Sequence, residues 1–211
     1  MDNLIYILFV AIFVPILLMT CLVEKKARHP LVFVLVGIFL SVFASEVNGL
    51  MVNLLPLSIF EVTIIVTPIS EEILKAIPIL FFASILSPKK EAVFTAAMAI
   101  GIGFAVLENA FYMLNDASFN MIDAIVRAFG AGLMHGMCTL LVGVGILFVK
   151  KKRKLFVVGT FAMLSTAITY HGIYNMLVQS DYQIIGYLLP IATYIPFMVW
   201  RIRKIRQKNA K

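Results

Sequence analysis

The sequence predicts an all-α fold: a polytopic membrane bundle of about seven transmembrane helices, N-terminus outside and C-terminus in the cytoplasm. Three observations carry this expectation. The 211 residues are 62% hydrophobic and only 14% charged, where soluble domains carry about 25% charge. Apolar runs of about 20 residues, the length that crosses a bilayer, recur along the chain, and the mean hydropathy is +1.00. Every Lys and Arg except Lys75 and Arg127 falls on alternate connections between those runs, the pattern of cytoplasmic loops.

The first run, 3–23, follows Asp2 with no basic stretch before it, which reads as a retained helix and not a cleaved signal. Lys25, Lys26 and Arg28 separate it from the second run, 31–51. The third, 57–86, is long and contains Pro68 and Pro78, which predicts a kink, or a re-entrant start near Pro56. Lys89 and Lys90 lead into 92–114, and 122–149 ends at the basic block Lys150, Lys151, Lys152, Arg153 and Lys154. The last two runs are 155–178 and 184–200, followed by Arg201, Arg203, Lys204, Arg206, Lys208 and Lys211. The opposite connections, around Asn53, 115–121 and 179–183, hold no Lys or Arg. The chain reads as one transmembrane domain, 1–211, whose polar motifs lie within about 57–178.

In a soluble protein the net charge of +7 would point to nucleic acid. Here the cations sit in short blocks beside apolar runs, so anionic lipid headgroups are the expected partner and nucleic acid is not. Cys21 and Cys138 lie in apolar runs and form neither a disulfide framework nor a cysteine metal motif.

The informative residues are polar and intramembrane: Glu46, Glu71, Glu72, Lys75, Glu108, His135 and His171. Each costs roughly 2.5–3.5 kcal/mol at mid-bilayer, which makes it a candidate functional residue. Counting from each cytoplasmic helix end at about 1.5 Å per residue puts Glu46, Glu72, Glu108, His135 and His171 all about 21–24 Å in. Lys75 is spaced to pair with either Glu71 (i,i+4) or Glu72 (i,i+3). Phe104, Glu108 and Tyr112 share a helix face, as do His171 and Asn175. Gly101, Gly103, Gly130, Gly132, Gly136 and Gly172 surround these positions and would let helices approach closely.

Two chemistries fit this set. A carboxylate and an imidazole can activate water directly, or Glu and His side chains can hold zinc, which acidifies its water. Both give hydrolysis in an apolar medium. No H-E-x-x-H motif is present. Structural readings stand beside these: an ion pair at Glu71/Glu72/Lys75, interhelical hydrogen bonds from a lone His, Asn109 or Asn175, a snorkelling Arg127, and Glu46 neutralising Lys75. A transporter or channel with a Glu/His/Lys relay, and a non-catalytic partner-binding membrane protein, are the competing functional classes. A transporter calls for an inverted repeat, and none is visible.

At these residues the sequence resembles the PrsW family of intramembrane proteases, itself distantly related to the CAAX-protease and bacteriocin-processing superfamily. The carrying segments are Glu71-Glu72-Ile-Leu-Lys75, Gly103-Phe104-Ala-Val-Leu-Glu108-Asn109, Arg127 with His135, and His171-Gly172-Ile-Tyr174-Asn175. The resemblance implies a plasma-membrane peptidase of bacterial type. Its substrate would be a single-pass membrane protein of anti-sigma-factor type, cut near the extracytoplasmic side. It also implies Glu71 and Glu72 as paired catalytic carboxylates, with Glu108, His135 and His171 as metal ligands or acid/base partners. A zinc ion on Glu108, His135 and His171 is one form of the site. The other is a glutamate-activated water with His171 and Asn175 holding the oxyanion.

Overall fold

The computed structural model describes residues 4–86, 88–115, 120–151 and 156–209, and among them there is helix and no strand. The connection at 115–121, the basic block 150–154 and Lys211 lie wholly or partly outside the described residues. The helices are α1 (Leu4–Leu22), α2 (Lys25–Leu54), α3 (Ile59–Glu61), α4 (Thr67–Ile85), α5 (Lys90–Asn115), α6 (Met121–Lys151), α7 (Phe161–Val178) and α8 (Gln183–Asn209). Two π-helical stretches, Val62–Val66 and Phe156–Thr160, lead into α4 and α7. Each of the seven apolar runs therefore corresponds to a helical segment.

Among the described residues, four helices are long and apolar enough to cross a membrane: Leu4–Leu22, Lys25–Leu54, Lys90–Asn115 and Met121–Leu147. Gln183–Val199 is a shorter apolar helix. α4 and α7 are not among the four, and they carry Glu71, Glu72, Lys75 and His171, all buried. Their apolar character is diluted by Glu71, Glu72 and Lys75 on one and by His171 and Asn175 on the other.

A short non-helical segment, 55–58, separates α2 from the third run. α2 stops at Leu54, just before Leu55-Pro56, where proline restricts the preceding residue to extended backbone. Ser58 then restarts the helix with a capping box: its Oγ accepts from the Glu61 N–H (3.2 Å), and its own N–H donates to Glu61 Oε2 (2.8 Å). The expected irregularity appears one step later, as the π-helical stretch before Pro68. Pro68 has no N–H to offer the Ile64 carbonyl, and the chain widens by one residue there, the Thr67 N–H reaching the Val62 oxygen. Gly172 of α7 lies against the Ile64 carbonyl, where a Cβ would come to 2.8 Å from the oxygen. The Asn175 side chain donates to the neighbouring Thr63 carbonyl at 3.0 Å.

α5 is the spine, packing on α2 along one side and on α6 along the other. The closeness is a matter of glycine. A Cβ at Gly103 would overlap the Val34 carbonyl, and one at Gly101 would overlap the His135 carbonyl. Gly37, on the facing side of α2, meets Ile100 in the same way. Gly132, by contrast, faces open space. α4 fits between α2, α5, α6 and α7. A core of Ile79, Val93, Ile100, Met134, Cys138 and Val142 lies next to the buried charges. α1 lies on the outside of α2 and α5 and is largely exposed.

Candidate active site

Four helices deliver the buried polar residues to one place. α4 supplies Glu71, Glu72 and Lys75 on consecutive turns, α5 supplies Glu108, α6 His135 and α7 His171. The spacing on α4 lets Lys75 reach both carboxylates, and it does: its Nζ is 2.8 Å from Glu72 Oε1 and 3.7 Å from Glu71 Oε2. Lys75 and Glu72 are fully buried. The ammonium also lies over the Phe104 ring, 4.1 Å from its centroid, and 2.7 Å from His135 Nδ1. Burying one charge of such a set unpaired is strongly destabilising, so the contacts are needed merely to hold the helix in place.

These contacts assign the protons. An ammonium has only donors, so His135 Nδ1 accepts from Lys75. The proton of that neutral ring is then on Nε2, which donates to Glu108 Oε2 at 2.7 Å. On the other side His171 Nδ1 is 2.9 Å from Glu72 Oε1, a carboxylate oxygen that can only accept. His171 therefore carries a proton on Nδ1, and in the neutral ring Nε2 presents a lone pair. The result is a hydrogen-bonded chain, Glu108–His135–Lys75–Glu72–His171, that ties α5, α6, α4 and α7 together.

The lone pair of His171 Nε2 points at a second acceptor. Glu71 Oε2 is 3.9 Å away, is buried, and has no hydrogen-bond partner. Its other oxygen, Oε1, accepts from Asn48 Nδ2 at 3.2 Å. Two acceptors facing each other with no donor between them is the signature of a place for a water molecule or a cation. Ligand atoms of Glu71, His135 and His171 all lie within 4.8 Å of one another. Three carboxylates share the site with one buried ammonium, a balance that favours a divalent cation. Glu71 Oε2 and His171 Nε2 are free to bind one, with Glu72 orienting the His171 ring from behind, the usual outer partner of a ligating imidazole. His135 can join only by releasing Lys75 or Glu108. The residues thus fit a metal through Glu71 and His171 directly and through His135 conditionally.

The sequence places zinc on Glu108, His135 and His171. In the structure the converging group has Glu71 in place of Glu108, which stands one bond further out, on His135. Glu46 does not neutralise Lys75: it is exposed and accepts from the Tyr6 hydroxyl at 2.6 Å. Arg127 stacks on Tyr112, 4.1 Å from the ring centroid, and its buried Nε has no hydrogen-bond partner. Asn175 is turned to Thr63 and not to the carboxylates.

A cavity of about 280 Å³ opens on the site, with Asn48, Thr63, Glu71, Phe104, Glu108 and Tyr112 among its walls. Ser41, Ser45 and Asn48 of α2 line it as well. Sequence reasoning missed them. The signal was there: spacings of four and three residues make a polar stripe on a helix that is otherwise apolar. Glu46 drew attention instead, yet two residues along a helix is about 200° of rotation, so Glu46 and Asn48 face opposite ways.

The sequence model of one family, described as PrsW family intramembrane metalloprotease, matches residues 25–201. That span includes every residue of the cluster and leaves out α1. No curated protein and no solved structure matches the chain.

Proposed function

The chain belongs to the PrsW family of intramembrane metalloproteases, and from that premise we propose that the Glu71–Glu72–His135–His171 cluster is the hydrolytic centre of this membrane peptidase. The observation that carries the reading is Glu71 Oε2, a buried carboxylate oxygen with no hydrogen-bond partner, 3.9 Å from His171 Nε2, on a residue that lines a cavity within the family match. A water between them donates one hydrogen to each acceptor, which aims an oxygen lone pair toward the cavity. Glu71 then takes a proton as the water oxygen bonds to the peptide carbonyl carbon. The C–N bond breaks as that proton passes to the departing amine. Glu72 and Lys75 keep the His171 ring in the right tautomer and offset the charge of Glu71. The Asn175 amide uses one N–H on Thr63 and has a second for the developing oxyanion. Glu108 holds His135 through Nε2.

Zinc is the proposed metal, which Glu71 and His171 would hold, with His135 completing the set on releasing Lys75 or Glu108. When bound it would lower the pKa of water and polarise the scissile carbonyl. The proposed substrate is a single-pass membrane protein of anti-sigma-factor type, cleaved near the outer face of a bacterial cell membrane. A substrate that is itself a membrane span can approach residues buried among helices that long and apolar from within the lipid.

The test is co-reconstitution with a single-pass membrane substrate. Wild-type protein cleaves it and Glu71→Gln does not. A chelator abolishes cleavage and added zinc restores it, and purified protein carries about one equivalent of metal that His171→Ala loses. Full activity in metal-depleted protein overturns the zinc version and leaves the glutamate-activated water. Full activity in Glu71→Gln overturns the site itself.

A further inference from the structure

We infer that Asn48, held by Ser70, is a positioning residue that fixes the orientation of the Glu71 carboxylate, anchoring one oxygen so that the other faces His171. The inference rests on the hydrolytic reading of Glu71 given above. Asn48 is on α2, a helix to which neither the motifs nor the ion-pair network assign a role. Its side chain is half-buried and makes two contacts, both to α4: Nδ2 donates to Glu71 Oε1 at 3.2 Å, and Oδ1 accepts from Ser70 Oγ at 2.6 Å.

The two contacts fix the amide together. An amide can flip by half a turn, exchanging its oxygen for its nitrogen. Here the flip would set Oδ1 against the Glu71 carboxylate, acceptor against acceptor, so the carboxylate selects the orientation. Ser70, whose hydroxyl also lies 2.9 Å from the Thr67 carbonyl, holds the amide in place from its other end. With the Ser70 proton on Oδ1, the donor faces Glu71. One carboxylate oxygen is then anchored from α2. The other, Oε2, is left without a partner and faces His171 Nε2. Without the anchor, the carboxylate is free to turn about its last bond and present either oxygen, or to swing toward Lys75, already 3.7 Å away. Asn48 also lines the cavity, so the anchor sits on the side of Glu71 that meets the substrate.

The experiment measures steady-state cleavage of a single-pass membrane peptide with a fluorophore–quencher pair across the scissile region, using full-length protein in vesicles. Asn48→Ala, and Asn48→Asp with nearly the same shape and no donor, should lower kcat by about 10- to 100-fold, the usual effect of removing an orienting partner, while KM moves less than threefold. Ser70→Ala should show a smaller loss of the same kind, and Ser70→Thr, which keeps the hydroxyl, should recover most of it. In the Asn48→Ala/Ser70→Ala double variant the losses should not multiply, because Ser70 acts through Asn48. A purely structural role would lower the folded fraction and leave kcat per folded molecule unchanged. That result, or multiplicative losses, overturns the inference, and so does wild-type kcat in both Asn48 variants. Glu71→Gln, run in parallel, separates the two levels: if it is inactive while the Asn48 variants keep full kcat, only the inference fails, and if it is active, the hydrolytic reading fails.

Discussion

Glu71 and Glu72 are neighbours in sequence, and each has one oxygen with hydrogen-bond partners and one without. They differ in the partners: Glu72 Oε1 accepts from Lys75 and from His171, while Glu71 Oε1 accepts from the uncharged Asn48 amide. Their amide variants should therefore part company in stability. Glu72→Gln leaves the buried Lys75 without its closest counter-charge, and breaking a buried pair this way costs about 3–5 kcal/mol. Glu71→Gln removes a buried charge and puts an N–H within reach of the His171 lone pair, so its thermal midpoint in detergent should match or exceed that of the wild type. Both should be inactive. A Glu71→Gln protein as unstable as Glu72→Gln would mean that Glu71 holds the fold, and the reading of its free oxygen would go with it. The spacing of Lys75 from the two carboxylates was legible in the sequence. Which of them makes the closer contact was not, because that choice follows from His171 and Asn48, which approach from other helices.

Helices, not loops, set the geometry of the cluster, and two of them meet at a glycine. Gly101 on α5 lies against the His135 carbonyl on α6, one helical surface from the Glu108–His135 hydrogen bond. A methyl there has no room, since both groups in conflict are backbone. Gly101→Ala should force α5 and α6 apart, destabilise the protein by about 1–3 kcal/mol as overpacking does, and abolish proteolysis. Gly132→Ala, on the same α6 but facing open space, should leave the midpoint within about 0.5 kcal/mol of wild type. Equal midpoints for the two variants, read by thermal unfolding in detergent, would show that close approach at Gly101 is not required. The sequence picked out both glycines equally, because a small residue in an apolar run signals a close approach without saying to what. Pro68 was legible in the same partial way. It announced an irregularity in the third run, and the structure shows it as a π-helical stretch whose freed carbonyls meet Gly172 and Asn175.

For the molecule as a whole the open structural question is orientation. Basic residues on alternate connections predict an N-terminus outside and a site in the outer half of the bilayer. Single cysteines, in a variant lacking Cys21 and Cys138, should react with an impermeant maleimide on intact cells when placed at 115–121 or 179–183, and should not when placed at 150–154. The opposite pattern would put the site near the cytoplasmic face and exclude a substrate cut outside. By itself the sequence determined a helical membrane protein, a helical segment for each apolar run, the protease family, and most of the ionisable residues that are buried: apolar length, charge placement and short motifs are all written along one chain. Only the tertiary structure decided that Glu46 faces outward, that Glu71 and not Glu108 converges with the two histidines, and that Asn48 and Ser70 flank Glu71. Spacing within a helix sets the depth and direction of a side chain relative to its own axis. How one helix is rotated against the next depends on contacts between residues as far apart as Glu72 and His171, and no periodicity in the sequence records it.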